Sequence, residues 1–499
     1  MYPVRAVHSY NFEQSIGLLA LDSPNPGVES INRINLLISI DNSGSMGDTC
    51  YDGKTKMDHA KHMLSRLVKY LFQYPNLEGT LSIVVFDHDI ERLCMGVPLN
   101  SRDLVYEVLS KISDIESIGG TDVGQPLQIA NEWALSLPKQ EGSNVVNAHI
   151  FMTDGQATYG IERSEELISI PQSNYTSYYI GFGVDHHYSL MRGLGNLPNS
   201  DYYFVESIEK AGMVYGEVLH RILYSIPQDI EIICSGGKLY DYQSNVWKTS
   251  ISLQNIARGT IRLLHTVADS KEQTPAFEIR VGNDVCESQF YAHDNPFAPS
   301  SINTLSTKVA RIRQTVLEYL FQCINSDADS KRDLTTKSKE ISAEIKAFMQ
   351  VNNQLDNVVV KQLLDDVEIA RRGLDCGNGR MFIGARQSSC GQQRAYSVVD
   401  IEAMTPVHPH TCSGFSNRRP PATPTRNMSF AALRHNKSKS VPPPLSEEFS
   451  PPVLIGSVSP TYTPSAPSQS CYASPSQSLL MQELSGKLKL DKYDVMERT

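Results

Sequence analysis

The sequence predicts an α/β protein built on a buried, mainly parallel sheet, and three observations carry that prediction. Short apolar runs recur at Ile34-Asn35-Leu36-Leu37-Ile38-Ser39-Ile40, Thr80 to Phe86, Ala148 to Met152 and Tyr178 to Gly183. Between them lie longer stretches whose apolar residues fall at helical steps. After Asp229 this grammar stops and short alternating strands take over. Strands separated by helices form βαβ units, whose parallel strands are covered on both faces and therefore read as continuous apolar runs.

Along the chain, Ile16-Gly17-Leu18-Leu19-Ala20-Leu21 reads as a strand ahead of a Pro/Asn/Gly turn cluster. It has no obvious place in the parallel sheet, so residues 1–30 are expected to pack on the later β domain. The α/β domain is assigned to 31–226. Its first helix carries Met57, Ala60, Met63, Leu64, Leu67, Val68 and Leu71 at steps of three and four, which is one buried face. Ser207 to Ser225 repeats the pattern with Ile208, Ala211, Val214, Val218 and Ile222 and closes the domain before Pro227.

Residues 227–300 hold the short strands Ile230 to Cys234, Lys238 to Tyr242, Val246 to Leu253, Thr260 to Val267 and Ala276 to Val281, a small antiparallel β domain. Residues 301–375 carry helical periodicity at 302–324, Thr335 to Met349 and Leu355 to Arg372, a helical hairpin or three-helix unit capping that domain. Residues 376–499 turn to Pro, Ser and Thr, a composition that cannot bury enough surface to offset the entropy of ordering. A mostly disordered tail is expected there. A short helix at 479–496 would either dock in a groove of a partner or fold back on the chain's own helices.

Composition narrows the function classes. The 499 residues are 40% hydrophobic and 20% charged with a net charge of −10, ordinary for a soluble protein of more than one domain. An acidic balance argues against nucleic acid as the main partner, since phosphate binding needs a concentrated basic surface. The start of the chain lacks the apolar stretch of a secretory signal, and no segment is long enough to span a membrane. Nine cysteines with no Cys-x-x-Cys pair fit reduced thiols. A cytoplasmic location is expected, with the nucleus as the alternative.

The sharpest local signal is Asp41-Asn42-Ser43-Gly44-Ser45, directly after the run 34–40. In an open α/β sheet the loops leaving the carboxyl ends of strands form the ligand crevice. Mg²⁺ is small and hard, asks for an octahedral set of oxygens, and accepts only one or two protein carboxylates. Two serine hydroxyls and an aspartate on a tight turn suit it, with Gly44 allowing Ser43 and Ser45 to face one point. Ile118-Gly119-Gly120-Thr121-Asp122 offers a further hydroxyl, and Phe151-Met152-Thr153-Asp154-Gly155 a carboxylate at another strand end.

Together these segments resemble the D-x-S-x-S, T and D elements of the von Willebrand factor A family with its metal-ion-dependent adhesion site, MIDAS. Tyr179-Ile180-Gly181-Phe182-Gly183-Val184-Asp185 further resembles intracellular A-domain proteins of plants, protists and large viruses. The resemblance implies a doubly wound, Rossmann-like sheet. It also implies a divalent cation, Mg²⁺ with Mn²⁺ or Ca²⁺ as alternatives, held by Ser43, Ser45 and Thr121 with Asp41 and Asp154. The remaining coordination position would go to an Asp or Glu carboxylate of a partner protein. Some plant relatives carry a zinc module and act as ubiquitin ligases, but no such cysteine spacing exists here.

Competing motifs are weaker. Gly47 to Thr55 imitates a phosphate loop but has five residues before Gly53-Lys54 where a Walker A loop has four, and Asp at position 48. Lys54 is expected to open the first helix. His408, His410 and Cys412, with Cys376 and Cys390, match no zinc spacing. His186-His187 reads as a surface turn. No G-x-S-x-G elbow or H-E-x-x-H helix is present, so no enzyme activity is expected. In the tail, Arg418, Pro421 and Pro424 form an R-x-x-P-x-x-P ligand for an SH3-like partner.

The reading is a non-enzymatic interaction protein with a scaffold or adaptor role. The alternatives are an accessory factor of a ubiquitin ligase or AAA-type ATPase, and a purely structural scaffold whose metal site stays empty.

Overall fold

The computed structural model describes residues 4–401 except 12, 14, 24–32, 51, 75, 139–144, 173, 208, 209, 227, 228, 255, 292–306 and 400, together with 404 and with 464–485 except 466 and 467. Arg418, Pro421, Pro424, His408, His410 and Cys412 lie outside the described residues.

The first sheet is built from β3 (Arg33–Asp41), β4 (Gly79–Phe86), β5 (Ile90–Pro98), β6 (Val145–Thr153), β7 (Thr176–Phe182) and β8 (Ser200–Val205), in the order β5-β4-β3-β6-β7-β8. All pairings are parallel except the antiparallel edge β4–β5. The helices α1 (Lys56–Gln73), α2 (Val105–Ser113), α3 (Gly124–Ser136), α4 (Ser164–Ile168), α5 (Tyr188–Gly195) and α6 (Ala211–Leu223) connect the strands and cover them. Every residue of β3 after Arg33 is buried, which is why that strand is apolar on both faces. Its polar exceptions find partners across the sheet: Thr80 Oγ1 donates to Asn35 Oδ1 at 3.0 Å, and Asn35 Nδ2 donates to Asn147 Oδ1 at 2.9 Å. α1 buries Met57, Ala60, Met63, Leu64, Leu67, Val68 and Leu71.

A second six-stranded sheet runs β11 (Val246–Lys248), β10 (Gly237–Asp241), β13 (Ile261–Ala268), β2 (Ile16–Asp22), β1 (Arg5–Asn11) and β16 (Gln289–Phe290). Packed against it is a four-stranded sheet of β12 (Ser250–Leu253), β9 (Ile230–Ser235), β14 (Ala276–Val281) and β15 (Asp284–Glu287). β2 lies between β1 and β13, both antiparallel to it. Its alternate residues enter different cores: Leu19 and Leu21 join Ile232, Phe277 and Ile279 between the sheets, while Leu18 and Ala20 face Val316, Leu320 and Val367 of the helical layer. Two covered faces explain the continuous run 16–21.

The helical layer differs from the expectation of a unit ending at 375. It comprises α7 (Thr307–Ile324), α8 (Lys331–Val351), α9 (Val358–Gly373) and a fourth helix, α10 (Gly379–Gln392). α10 is rich in Gly, Ser and Gln yet buries Met381, Phe382, Ile383, Arg386 and Cys390. Arg386 is wholly buried and donates to Asp366 Oδ1 at 2.5 Å, to Ser397 Oγ at 2.7 Å and to the Val398 carbonyl at 2.9 Å. Charge pairing inside the core, invisible to hydrophobic periodicity, thus orders residues past 375.

The described part of the C-terminal region departs from the expected tail in the same way. α11 (Pro475–Leu484) begins four residues before the expected helix, because Ser474 and Gln477 form a capping box and Pro475 occupies the first turn. Its Leu480, Met481 and Leu484 are buried against α6, where Gly212 and Gly216 let the two backbones meet. Ahead of it, Ser397 N–H donates to the Ser468 carbonyl at 2.7 Å and Ser470 N–H to the Ala395 carbonyl at 2.6 Å. Residues 486–496 lie outside the described residues. Among the described residues no helix is long and apolar enough to cross a membrane, and each cysteine is a free thiol.

Candidate metal centre

Asp41 ends β3, and Asp154 follows the last residue of the neighbouring β6, so the parallel register places both at the carboxyl edge of the sheet. After Asp41 the chain turns into a single 3₁₀ turn, Gly44–Gly47. Ser43 N–H donates to Asp41 Oδ1 at 2.8 Å, which folds the loop back over the carboxylate. Ser43 Oγ and Ser45 Oγ are then 3.1 Å apart, and Ser45 Oγ donates to Asp154 Oδ1 at 2.8 Å. Gly44 has an ordinary backbone; its role is close approach, its N–H donating to the Gly119 carbonyl at 3.1 Å. The left-handed conformation falls on Gly119 instead, at φ +74.

Thr121 is buried in the loop before α3, fixed by Thr158 Oγ1, which accepts from its N–H at 2.9 Å. It makes no direct bond to the serines, but it borders the same space: a Cβ at Gly155 would lie 3.6 Å from both Ser45 Oγ and Thr121 Oγ1. The five candidates therefore converge, and the missing side chain at Gly155 keeps the gap between hydroxyls open.

Sequence reasoning missed two participants. Thr153 Oγ1 donates to Asp41 Oδ2 at 2.5 Å, so both carboxylate oxygens are held. Its position next to Asp154 at the strand end was the available signal. The second is Lys56, whose Nζ lies 2.6 Å from Asp154 Oδ2 and 3.6 Å from Asp48 Oδ2. Lys54 does not open the helix. Thr55 is the N-cap, its hydroxyl accepting from Asp58 N–H at 3.0 Å while Asp58 Oδ2 accepts from Thr55 N–H at 2.9 Å. That box makes Lys56 the first helical residue and aims its stem at the sheet edge.

Burial pushes the Asp41 carboxyl up to about 6, opposed by its bonds to Ser43 and Thr153 and reinforced by the charge of Asp154. Burial works against the charge of Lys56, yet its bond to Asp154 wins and raises the ammonium above its ordinary value. Among the described residues no group of three His, Cys, Asp or Glu is placed to hold a metal. Any cation at this edge would depend on hydroxyl oxygens. The donor set is all oxygen with two carboxylates, which fits a hard divalent ion, and an ammonium already rests on one of those carboxylates.

His186 corrects the expectation of a surface turn: it is buried, with Nδ1 2.8 Å from the Gly183 carbonyl and Nε2 2.6 Å from Tyr202 Oη. Burial lowers its pKa to about 4, the state of a neutral core histidine.

A mainly parallel sheet with serine and threonine hydroxyls gathered beside two aspartates at its carboxyl edge defines an A-type α/β domain. Residues 36–156 match the family model described as von Willebrand factor type A domain, and the chain carries such a domain. No curated protein matches the chain. Among solved structures it is similar to a von Willebrand factor type A protein from Catenulispora acidiphila, 12% identical, covering 80% of this chain and 88% of that one, TM-score 0.43. It is also similar to the ArnB paralog VWA2 from Sulfolobus acidocaldarius, 14% identical, covering 76% and 93%, TM-score 0.42. Proximal thread matrix protein 1 from the mussel byssus, described with a zinc-occupied MIDAS motif, is 16% identical over 42% of this chain and 50% of that chain, TM-score 0.31.

Proposed function

We propose that the A-type domain is a non-enzymatic protein-interaction module that binds an Asp or Glu carboxylate of a partner protein through a divalent cation, giving the chain an adaptor role. The observation that carries this reading is the convergence of Ser43, Ser45, Thr121, Asp41 and Asp154 on one rim of the sheet. Ser43, Ser45 and Thr121 would hold Mg²⁺, with Mn²⁺ or Ca²⁺ as substitutes, while Asp41 and Asp154 supply the balancing charge. Bound there, the cation would attract a further carboxylate from outside. Asp41 orients the loop through Ser43 N–H and Thr153, and Ser45 is positioned by Asp154.

Mg²⁺ calorimetry on the full chain tests this. One saturable site that disappears in Asp41→Ala and in Asp154→Ala, with the circular dichroism of both variants unchanged, is the expected result. Heat without saturation in the wild type sinks the reading. The pair Lys56–Asp154 favours a second one, a scaffold whose own ammonium permanently satisfies the carboxylate. In that case neither Mg²⁺ nor Mn²⁺ binds, and partner capture is indifferent to EDTA.

A further inference from the structure

A cavity of about 430 Å³ opens where the edge of the first sheet meets the second sheet and the end of α10. It lies among Asn196, Asp201, Arg221, Lys248, Arg262 and Gln392. Its charges are not balanced. Lys248 Nζ is 2.6 Å from Asp241 Oδ2, so these two lining residues neutralise each other. Arg221 Nη1 is 3.1 Å from Asp201 Oδ2, and Arg394 Nη2 takes the other oxygen of the same carboxylate at 3.0 Å. Asp201 is thereby claimed twice. Arg262 feels the Asp201 charge, but both oxygens of that carboxylate are taken, and among the described residues no hydrogen bond or close ion pair holds its guanidinium.

Arg262 is half-buried at the cavity wall, a guanidinium without a bonded partner in such a place is under-satisfied, and it does not escape by losing its proton. Loss of hydration, aided by the neighbouring Arg221 and opposed by Asp201, pulls its pKa down only to about 10, so it stays cationic at neutral pH. A planar guanidinium presents paired N–H donors that match phosphate or carboxylate oxygens. The cavity also has an apolar side, formed by Tyr240, Ile251 and Leu264, and its volume falls in the range of small-molecule sites.

We propose that this cavity binds a small organic anion, which presents a phosphate or carboxylate to Arg262 and lays an apolar body against Tyr240, Ile251 and Leu264. The site is independent of the cation centre. Its walls come from β8, α6, β10 to β13 and the end of α10, so the bound anion braces the α/β sheet against the second sheet.

The test uses the full chain in EDTA, which keeps the cation centre out of the readout. Thermal midpoints and calorimetry are recorded with phenyl phosphate, benzoate, inorganic phosphate and, as the uncharged control, phenol. The expected result is a saturable rise in midpoint with phenyl phosphate or benzoate, whichever fits the true head group, and none with phenol. Arg262→Met should weaken that binding at least about tenfold, with Arg262→Lys between. The methionine keeps the apolar stem and removes an unpaired charge, so unliganded Arg262→Met should unfold no earlier than wild type. No saturable response in the wild type overturns the proposal, as do phenol binding as well as the anions, inorganic phosphate as well as phenyl phosphate, or undiminished binding in Arg262→Met. The wild-type comparison of phenyl phosphate with phenol stands without any variant.

Discussion

Lys56 and Asp154 form a short ion pair, Nζ to Oδ2 2.6 Å, in which the carboxylate is fully buried and the ammonium one-fifth exposed. Asp154 also accepts from Ser45 Oγ, so a proposed ligand of the divalent cation already has a cation on it. Lysine and Mg²⁺ would compete for one carboxylate. Lys56→Met is therefore expected to bind Mg²⁺ several-fold more tightly than wild type in calorimetry. Without metal its melting midpoint should fall, because Asp154 is left buried and unpaired, and Mg²⁺ should restore it. Unchanged Mg²⁺ affinity would show that the ammonium does not occupy the cation's place.

Thr153 supports Asp41 from the opposite side to Ser43. Thr153→Val keeps the shape and removes the donor, leaving a buried carboxylate oxygen unsatisfied. A loss of about 1–3 kcal/mol in urea-unfolding free energy is expected, together with weaker Mg²⁺ binding. A stability loss with full Mg²⁺ affinity would confine Thr153 to a structural role.

In the helical layer, Arg386 and Asp366 are both buried and paired at 2.5 Å. Arg386→Met leaves the carboxylate alone and should cost about 3–5 kcal/mol. Adding Asp366→Leu removes the orphan as well and should recover much of that loss. A double variant no more stable than the single one contradicts this account.

The docking of α11 rests on glycine. A Cβ at Gly216 would lie 2.5 Å from Met481 Cα, too close for any adjustment of side chains alone. Gly216→Val should thus displace α11 while α6, a helix with tertiary support along its length, remains. Hydrogen exchange over 475–484 ought to accelerate strongly, with little change in β3 or β6. Equal protection in both proteins refutes the close-approach argument.

Acid should destabilise the fold. Burial lowers the pKa of His8, His186 and His220 to about 4 and of His149 to about 3 from 6.5, and puts His265 well below it. Between those values and 6.5 the unfolded chain binds protons that the folded one refuses, so stability falls as pH drops through that window. Asp41 and Asp366, raised from 3.8 to about 6 by burial, and Glu217, also raised by burial, act in the opposite sense because they take protons first in the folded state. Five histidines outnumber three carboxylates, and the urea midpoint should be lower at about pH 5 than at about pH 7. An equal or higher midpoint at the acid end contradicts these assignments.

Strands β3, β4, β6 and β7 and helix α1 were legible because burial on both faces, or on one helical face, leaves a direct periodic trace. β5 leaves none: it is an antiparallel edge strand, exposed at Glu91, Arg92, Met95 and Gly96, with a register shift at its pairing to β4. α10 hides for the opposite reason, since its buried face includes Arg386, Gln387 and Ser389, which hydropathy counts as surface. At the cation centre the motif residues could be named because their oxygen chemistry is local, whereas Lys56 belongs to no motif and the bond from Thr153 to Asp41 joins two strands.

By itself the sequence determined the A-type sheet and the aspartates, serines and threonine of its carboxyl edge. Local periodicity and residue chemistry suffice for both. Only the tertiary structure decided that Lys56 reaches Asp154, that Arg262 makes no close ion pair because Arg221 and Arg394 take both oxygens of Asp201, and that α11 lies on Gly212 and Gly216. Each of these joins segments far apart in the chain. Whether a charge is paired or a glycine covered depends on what folding brings beside it, and no local pattern records that.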